Sequence, residues 1–268
     1  MSPPGGAIAG PVGPARPRWW LGGVLPLALV AAWFAATSVF HRFAPHQVPS
    51  PGQVWATAWQ LTSDGELGRH VLASAGRVLA GFAIGASIAI ALGIVVGLSR
   101  AAEAILDPTL QLLRNVPSLA WVPFLLLWMG IDEAPKIALI AIGAAFPVYL
   151  NLVAGIRQTD RGLIEVGRVF GLGDAALVGR IVLPSAFPYL LTGLRIAIGQ
   201  SWLFLVAAEL IASTRGLGFL LIDGENTARP NIMVVGIAVL ALLGKLSDTA
   251  LRRAARGMAG WSSGLEAR

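Results

Sequence analysis

The sequence predicts an all-α polytopic membrane protein with about six transmembrane helices. Of the 268 residues, 56% are hydrophobic and only 13% are charged, and the mean hydropathy is +0.72. Soluble domains carry roughly a quarter of charged residues, so the composition excludes the ordinary soluble class. The apolar residues are gathered in runs that reach the length of about 20 residues needed to cross a bilayer. Helices are expected in these runs because lipid offers no hydrogen-bond partner to an open backbone.

Six apolar segments are predicted to span the membrane. They are 19–40, 70–98, 104–131, 136–155, 186–212 and 231–251. The first segment follows two arginines, as a signal peptide would, but it is longer than the usual signal-peptide core of about 7–15 residues. It is therefore predicted to be an uncleaved helix. We expect a disordered tail at 1–18, the first helix and its outer connection at 19–66, a core domain at 67–256, and a second tail at 257–268.

The distribution of Lys and Arg predicts the orientation of the spans. Cytoplasmic loops of membrane proteins are enriched in these residues. Placing the N-terminus inside assigns most of the arginines to inner connections, four of them to 157–184, and assigns the acidic pairs to outer connections. Both termini and the connection 157–184 are therefore predicted to be cytoplasmic. The basic residues form no continuous stripe, which argues against a nucleic-acid partner.

Motifs for catalysis, nucleotide binding and metal binding are missing from the sequence. It contains no cysteine, no phosphate-binding loop of the G-x-x-x-x-G-K-[ST] type and no H-E-x-x-H metal motif. His41 and His46 are expected to face solvent. We predict that the chain binds no metal and no cofactor. If it moves a solute uphill, the energy must come from an ion gradient or from a separate ATPase.

A row of small residues marks the second span. Gly81, Gly85, Ala89, Gly93 and Gly97 follow one another at every fourth position. Residues four apart share one face of a helix, and membrane helices approach closely along such faces. Packing within one subunit is the simpler interpretation, and contact with a helix that moves is the alternative.

The third span contains the sequence Arg114-Asn115-Val116-Pro117. Proline removes a backbone donor and clashes with the preceding turn, so a kink is predicted. Irregular backbone at membrane depth is tolerated mainly where it faces protein or a water-filled cavity. This makes Arg114 and Asn115 candidates for a polar translocation path, together with Gln200 of the fifth span. Alternatively, Arg114 lies near the cytoplasmic end and its side chain extends to the interface.

Further charged side chains within the spans are Arg77, Arg195 and Glu209. A charge that faces lipid costs on the order of 2.5–3.5 kcal/mol, so these side chains are predicted to face the bundle interior or to lie near helix ends. Glu209 is near the outer end of its span and is expected to be solvated. Lys245 and Asp248, three residues apart, are expected to form an ion pair within the last span.

The connection that ends at Pro184 carries the most informative motif. From Glu165 it reads E-V-G-R-V-F-G-L-G-D-A-A-L-V-G-R-I-V-L-P. Permeases of bacterial ABC importers have the pattern Glu-Ala-Ala, three residues, Gly, nine residues, Ile, one residue, Leu-Pro. The matching positions are Glu165, Gly171, Ile181, Leu183 and Pro184, and Val166 and Gly167 replace the two alanines. The chain therefore resembles the transmembrane permease subunit of a binding-protein-dependent ABC importer of type I.

This resemblance implies that 157–184 is a coupling loop of two short helices at an angle, one of which docks in a groove of an ATPase subunit. The first helix is expected at Arg161–Phe170 and the second at Ala175–Arg180, with a bend at Gly171-Leu172-Gly173. The buried side of the first helix is expected to consist of Leu163, Ile164, Val166, Val169 and Phe170.

Individual roles in the loop follow from the same resemblance. Glu165 is expected to fix the loop by a polar contact, and Gly167 to allow a close approach of helices. Asp174 is expected to cap the second helix. Leu183 and Pro184 would end the loop where the fifth span begins. The residues assigned to coupling are Glu165, Gly167, Gly171, Asp174, Ile181, Leu183 and Pro184.

The resemblance also implies the assembly. Two permease copies would form a translocation pathway in the bacterial inner membrane, surrounded by lipid, with ATPase subunits beneath and an extracytoplasmic substrate-binding protein above. ATP and Mg²⁺ would be used by the ATPase, and this chain would be a transport subunit without catalysis. An ion-gradient-driven secondary transporter and a membrane scaffold without a transport role are the alternatives of other classes.

Three segments resemble one branch of these permeases, whose substrates are aliphatic sulfonates, taurine, nitrate and related small anions. They are V-P-S-P-G-Q-V-W (48–55), L-L-R-N-V-P-S-L-A-W-V-P-F-L-L-L-W-M-G-I-D-E (112–133) and F-P-V-Y-L-N (146–151). The form R-N-V-P is most similar to that of the aliphatic sulfonate permeases. An aliphatic sulfonate is therefore the expected substrate, and taurine, nitrate or another small solute is the alternative.

Overall fold

The computed structural model describes residues 21–40, 42–44 and 46–259, and every regular element in these ranges is a helix. The α-helices are α1 (Leu21–Phe34), α2 (Pro51–Ser63), α3 (Glu66–Leu98), α4 (Arg100–Asn115), α5 (Val122–Met129), α6 (Glu133–Arg157), α7 (Arg161–Val169), α8 (Asp174–Leu177), α9 (Leu183–Ala212), α10 (Leu217–Asn226) and α11 (Pro230–Ala259). Short π-helical turns follow α1 at Ala35–Val39 and join α8 to α9 at Val178–Val182, and a 3₁₀ turn at Ser118–Trp121 precedes α5. The predicted all-α fold is confirmed over these residues.

Four helices are long and apolar enough to cross a membrane. They are Glu66–Leu98, Glu133–Arg157, Asp174–Ile211 and Pro230–Ala255. Each contains or closely overlaps one of the four predicted spans that begin at residues 70, 136, 186 and 231. The predicted third span corresponds to α4 and Leu119–Met129, which are bent by 87° and count as one span only when taken together.

The first predicted span and the two tails are only partly covered by the described residues. The apolar helix Gly23–Val39 belongs to the shorter class of 10–17 residues, and the start of the predicted span, 19–20, lies outside the described residues. The predicted tail 1–18 and His41 also lie outside them. Helix α11 continues to Ala259, beyond the predicted domain end at 256, and the rest of the second tail is outside the described ranges.

The sequence did not predict α2 and α10, which lie in the connections between spans. Ser50 and Gln53 form a capping box at the start of α2, and Pro51 occupies its first turn, as expected for a helix N-terminus. Helix α2 packs against α11, where the side-chain amide of Asn231 donates to the hydroxyl of Thr57 at 2.6 Å. Helix α10 packs against α9 and α11. These short helices cover the ends of the longer ones.

Helix α6 lies at the centre of the fold, between α3 and α9. The predicted row of small residues on α3 faces it, because a Cβ atom added at Gly81 would lie 2.6 Å from Cβ of Ile140. On the opposite side, a Cβ atom added at Gly155 of α6 would lie 2.7 Å from Cβ of Tyr189 in α9. The row therefore packs within one subunit, and small residues allow the three helices to approach closely.

Replacing Gly85 with Ala should destabilise the protein, because the added Cβ atom would overlap the backbone carbonyl of Ala141 in α6. Overpacking of this kind costs about 1–3 kcal/mol. The matched control is Gly76→Ala on the same helix, where nothing lies within 4 Å of the added atom. It should be neutral or stabilising, since Ala favours a helix over Gly. The melting temperature of the purified protein in detergent measures both effects, and equal values would contradict the close packing of α3 on α6.

Candidate coupling loop and translocation site

The connection 157–184 folds into two helical arms joined by a defined turn. At the end of α7, the amide of Gly171 donates to the carbonyl of Arg168 at 2.9 Å, and the amide of Leu172 donates to the carbonyl of Gly167 at 3.0 Å. This is the hydrogen-bond pattern of a Schellman motif. It requires a left-handed residue, and Gly171 has φ +77°. The glycine of the sequence motif therefore sets the turn between the two arms.

Gly167 is the point where the two arms touch. It is buried, and a Cβ atom added there would lie 2.5 Å from Cδ2 of Leu177 and 2.6 Å from Cδ1 of Ile181. The close approach that the sequence predicts at Gly167 is present. Next to Ile181, Val182 is buried in a cluster with Ile156 of α6. The arms are thus held to each other and to the membrane bundle by apolar contacts.

The second arm differs from the predicted second helix at Ala175–Arg180. Asp174 is the first residue of α8, and the N-cap is Gly173, which makes no side-chain capping bond. The predicted capping role of Asp174 is therefore wrong for the folded chain. A carboxylate in the first turn still interacts favourably with the positive end of the helix dipole.

The predicted end of the loop at Leu183 coincides with the first residue of α9, and the second arm runs into α9 without a break. The continuous helical span is Asp174–Ile211. Pro184 has no amide hydrogen to donate to the carbonyl four residues earlier, at Arg180, and its ring requires extra room there. The wider π-helical turn at Val178–Val182 lies at this position. The proline thus widens the helix at this point and leaves it continuous.

Helix α7 exposes most of the side that the sequence predicts to be buried. Only Ile164 of that set is partly buried. The exposed members are Leu163 (49% exposed), Val166 (53%), Val169 (86%) and Phe170 (81%). We call these four residues the α7 apolar patch. Contiguous exposed apolar surface that is flanked by polar residues is typical of an interaction site.

Charged side chains flank the α7 apolar patch. Arg161, Glu165 and Arg168 are all exposed, and none of their side chains has a hydrogen bond or an ion pair within the described residues. The polar contact expected of Glu165 is therefore not made inside the part of the chain that the structure describes. The side chain is free to meet a group on another molecule.

The predicted kink in the third span is a complete break. Helix α4 ends at Asn115, and Val116 has extended backbone angles, φ −71° and ψ 122°. A residue that precedes proline is pushed out of the helical region, which explains the position of the break before Pro117. The chain then turns by 87° into the following helical segment. Arg114 and Asn115 form the last turn of α4 at this break.

The break lies near the middle of the membrane bundle. Leu113 of α4 lines one cavity of about 270 Å³ together with Ile142 and Ala145 of α6. At 1.5 Å per residue, these two positions lie about 14 and 18 Å from the start of α6, whose total length is about 37 Å. Arg114 follows Leu113 directly and is therefore level with the middle of α6. Its assignment to the pathway, and the alternative in which its side chain extends to the cytoplasmic interface, stay predictions.

The three candidate pathway residues are not brought together within one chain. Arg114 and Asn115 are exposed, and Gln200 is half-buried on α9. None of the three side chains has a hydrogen bond in the described ranges. An arginine without a partner is unfavourable at this depth if it faces lipid. The arrangement therefore suits a polar cavity or an interface with another molecule.

The sequence did not predict an ion-pair cluster in which the first half of α3 meets the last turn of α9. Arg77 binds Glu133 through two parallel contacts, Nε–Oε2 at 2.5 Å and Nη2–Oε1 at 2.7 Å, and its Nη1 lies 2.7 Å from Oε1 of Glu209. Glu209 is only 1% exposed, so the expectation of a solvated helix terminus is wrong. Two opposite charges in apolar spans could have indicated this pairing, because buried membrane charges seek each other.

The same cluster holds the first turn of α10. Its free backbone amides are satisfied by side chains of α3 and α9 in place of an ordinary N-cap. Gly216 N donates to Nδ1 of His70 at 2.9 Å, Leu217 N to the hydroxyl of Ser74 at 2.8 Å, and Gly218 N to Oε2 of Glu209 at 2.7 Å. The ring of His70 also stacks on Phe219. We call the side chains of His70, Ser74, Arg77, Glu133 and Glu209 the α3–α9 polar cluster.

The ion pair predicted between Lys245 and Asp248 is wrong. Asp248 instead accepts from Nε of Arg195 on α9 at 3.1 Å and from Arg252 one turn further along α11. Lys245 is exposed. Arg252 can compete with Lys245 for Asp248 because residues four apart are neighbours on a helix surface. The contact between Asp248 and Arg195 depends on how α9 packs on α11.

Replacing Arg77 with Met should strongly destabilise the protein, because it leaves Glu209 buried without its cation. Breaking one side of a buried ion pair costs about 3–5 kcal/mol. The control is Arg195→Met, which removes a half-exposed arginine from its pair with Asp248 and should cost about 1 kcal/mol or less. Thermal melting in detergent compares the two, and an Arg77 variant as stable as the Arg195 variant would contradict the structural role of the cluster.

The family of the chain follows from comparison with known proteins. Residues 81–260 match the model of a family described as the binding-protein-dependent transport system inner membrane component. This range includes most of α3, the whole coupling loop and α9 to α11. The chain belongs to this family of ABC transporter permeases and is a multi-pass membrane protein.

Individual relatives cover most of the chain. A protein named as aliphatic sulfonates transport permease SsuC of Escherichia coli is 42% identical over 238 residues, 89% of this chain and 90% of the relative. The taurine transport system permease TauC of Escherichia coli is 35% identical and covers 89% and 88%. The nitrate import permease NrtB of Synechocystis is 33% identical and covers 84% and 85%. The predicted resemblance to this branch of permeases is confirmed.

A solved structure shares the fold. A chain from inward-facing conformations of the MetNI methionine ABC transporter aligns with a TM-score of 0.53, at 21% sequence identity, and covers 70% of this chain and 95% of that chain. At this identity the likeness concerns the fold alone. The type I permease fold expected from the sequence is therefore confirmed.

Proposed function

We propose that this chain is the membrane-spanning subunit of an ATP-driven importer and that the α7 apolar patch is the contact with its ATPase subunit. The observation that carries the proposal is the exposure of Val169 and Phe170, at 86% and 81%, at the tip of a connection rich in charged residues. Burial of apolar surface is the dominant favourable term in most protein association. Glu165, exposed beside the patch, would then find its polar partner on the ATPase.

The loop is suited to transmit force because it is anchored at its base. The two arms are locked through Gly167, and the second arm is continuous with α9. A movement of the ATPase would therefore displace α9 as a rigid body, which is a common form of conformational change. ATP and Mg²⁺ would be bound by the ATPase, since the sequence of this chain contains no phosphate-binding loop.

Orientation follows from the charge distribution. The inner connections carry the excess of arginine that marks cytoplasmic loops. We assign both termini and 157–184 to the cytoplasm of a bacterium, and the α3–α9 polar cluster to the extracytoplasmic side. The outer surface would then receive the substrate-binding protein that the description of the family implies.

A second copy of the chain would complete the translocation pathway. Arg114 and Asn115 lie at a helix break near mid-depth and have no partner in the described residues. Irregular backbone at this depth is tolerated where it lines a cavity or is covered by protein. Two copies facing each other across a central path would place these groups in a polar environment. The path would thus carry positive charge and suit an anion.

We infer that the substrate is a small organic anion, most directly an aliphatic sulfonate. The relative at 42% identity is named for aliphatic sulfonates, and those named for taurine and nitrate are 35% and 33% identical. These names share one chemistry, a small anion with oxygen acceptors. Arginine is well suited to such a group, because its guanidinium donates to two oxygens at once.

The contacts of Glu209 do not favour the ion-gradient alternative. A carboxylate that couples to protons or sodium must exchange its ion, whereas Glu209 is bound by Arg77, Ser74 and the amide of Gly218. Secondary transporters place coupling sites near the bilayer midplane, whereas this cluster lies at a helix end. Membership of a binding-protein-dependent family also favours the ATPase-driven function.

Introducing a charge into the α7 apolar patch should release the ATPase. We expect Phe170→Asp to reduce copurification of the ATPase subunit at least about tenfold, since a desolvated carboxylate in an apolar contact costs more than the 1.4 kcal/mol that corresponds to that factor. The control is Ala175→Asp, which adds the same charge to an exposed position on α8 outside the patch. If both variants retain the ATPase and support transport, the patch is not the docking surface.

Removing the charge at mid-depth should impair transport. In the reconstituted importer, Arg114→Gln should lower sulfonate uptake about tenfold, because a hydrogen bond between charged groups contributes about 1.5–3 kcal/mol. Arg114→Lys should retain more of the activity. Arg100→Gln, at the other end of α4, is the control and should have little effect. Measuring the uptake of methanesulfonate, taurine and nitrate by each variant also compares the three substrate classes. If Arg114→Gln transports sulfonate as fast as wild type, the pathway assignment is contradicted.

A further inference from the structure

The cavity beside the helix break has walls of one chemical kind. It lies between α3, α4, α6 and the 3₁₀ turn that ends at Trp121, has a volume of about 270 Å³, and all the residues that line it are aliphatic or aromatic. Tyr149 has its hydroxyl occupied, because it donates to Oδ1 of Asp107 at 2.8 Å. Sites of this type bind apolar groups, with a few polar groups at the edge that fix orientation.

Arg114 lies just beyond the part of α4 that lines this cavity. Leu110 lines it, and Arg114 follows four residues later on the same face of α4, one turn nearer to the helix break. Asp107 lies three residues before Leu110, about 10 Å from Arg114 along the helix axis. Its second oxygen accepts from the side-chain amide of Gln111 at 2.7 Å, so both of its oxygens are occupied. Asp107 is therefore engaged by two partners, whereas the side chain of Arg114 has none among the described residues.

We propose that this cavity receives the alkyl chain of an aliphatic sulfonate during transport, while Arg114 and Asn115 hold the sulfonate group. This inference rests on the proposed function and adds a reason for selectivity by chain length. The cavity of about 270 Å³ is larger than an apolar cavity of about 150 Å³ that binds benzene, so it has room for a chain of several methylene groups. The occupied carboxylate of Asp107 lies at the opposite end, so the anion has one preferred orientation.

A lipid acyl chain is the competing occupant, and the charge disfavours it. Phospholipid headgroups lie at the membrane surface. Arg114 instead lies level with Ile142 and Ala145, which are about 14 and 18 Å from the start of α6. A lipid tail would bring no anion to the arginine there. A short amphiphile carries its anion with it and fits both parts of the site. Nitrate has no apolar part and would gain nothing from the cavity.

The test is uptake by the complete importer in proteoliposomes, with the same ATPase and binding protein throughout. Uptake of methanesulfonate and of hexanesulfonate is compared for wild type and two variants. Ala145→Leu fills the cavity. Ala154→Leu is the control, since Ala154 is also half-buried on α6 but does not line the cavity. Because the binding protein is unchanged, its preference cancels when variant and wild-type ratios are compared. We expect Ala145→Leu to lower the hexanesulfonate-to-methanesulfonate ratio about tenfold, since each buried methylene contributes about fourfold. Ala154→Leu should leave it unchanged.

A second variant tests the opposite direction and does not depend on the tolerance of Ala145 for a larger side chain. Phe146→Ala enlarges the cavity and should shift the preference towards longer chains. Unchanged ratios in both variants, with both sulfonates still transported, would overturn the inference and leave the permease function intact. If the variants lose the uptake of both sulfonates equally, and the loss depends on the acyl-chain length of the liposome lipid, the cavity binds lipid and the inference is also overturned. Failure of wild type to transport either sulfonate would contradict the proposed substrate itself.

Discussion

The cost of a charge in a low-dielectric bundle determines where the polar groups of this chain lie. Arg77 has two carboxylate partners, and one of these, Glu209, is almost fully enclosed. Arg195 and Asp248 also join α9 to α11, through a pair that is partly exposed. The enclosed pair joins α3 to α9, which also pack closely against α6. Within this pattern, Arg114 stands out as a cation at mid-depth that lacks a partner in the described part of the chain, and this is why the pathway and the cavity are assigned there.

Close packing provides the second constraint. Helix α6 is held between α3 and α9 by glycines on both sides, so the three helices form one rigid unit. The coupling loop is built onto this unit, because Val182 and Ile156 share a buried cluster at its base. A continuous series of packed contacts thus connects the exposed tip of α7 to α9 and, through Glu209, to the α3–α9 polar cluster. The proposed transmission from an ATPase to the outer side would require no flexible joint along this route.

Local sequence patterns predicted the elements of this fold well and their partners poorly. Hydropathy located the spans, and the position of Pro117 located the break, because both depend on a few neighbouring residues. The side chains of Val166 and Phe170 were expected to be buried because an apolar face normally faces its own core. In α7, the buried side of the helix is the small surface around Gly167, and the α7 apolar patch is exposed. The predicted cap at Asp174 was displaced by one position, since α8 begins at Asp174 and its N-cap is Gly173.

The sequence by itself determined the membrane class, the all-α architecture, the position of the two-armed connection 157–184 and the family, because these depend on composition, periodicity and the spacing of a motif. Only the tertiary structure decided that Arg77, Glu133 and Glu209 meet, since 132 residues separate Arg77 from Glu209 along the chain. The same holds for the position of Arg114 beside the middle of α6, which follows from the cavity that α4 shares with α6. Motifs are local in the chain, whereas burial and pairing arise from contacts between distant segments. The two-armed connection 157–184 was therefore predictable from the sequence, and the α3–α9 polar cluster was not.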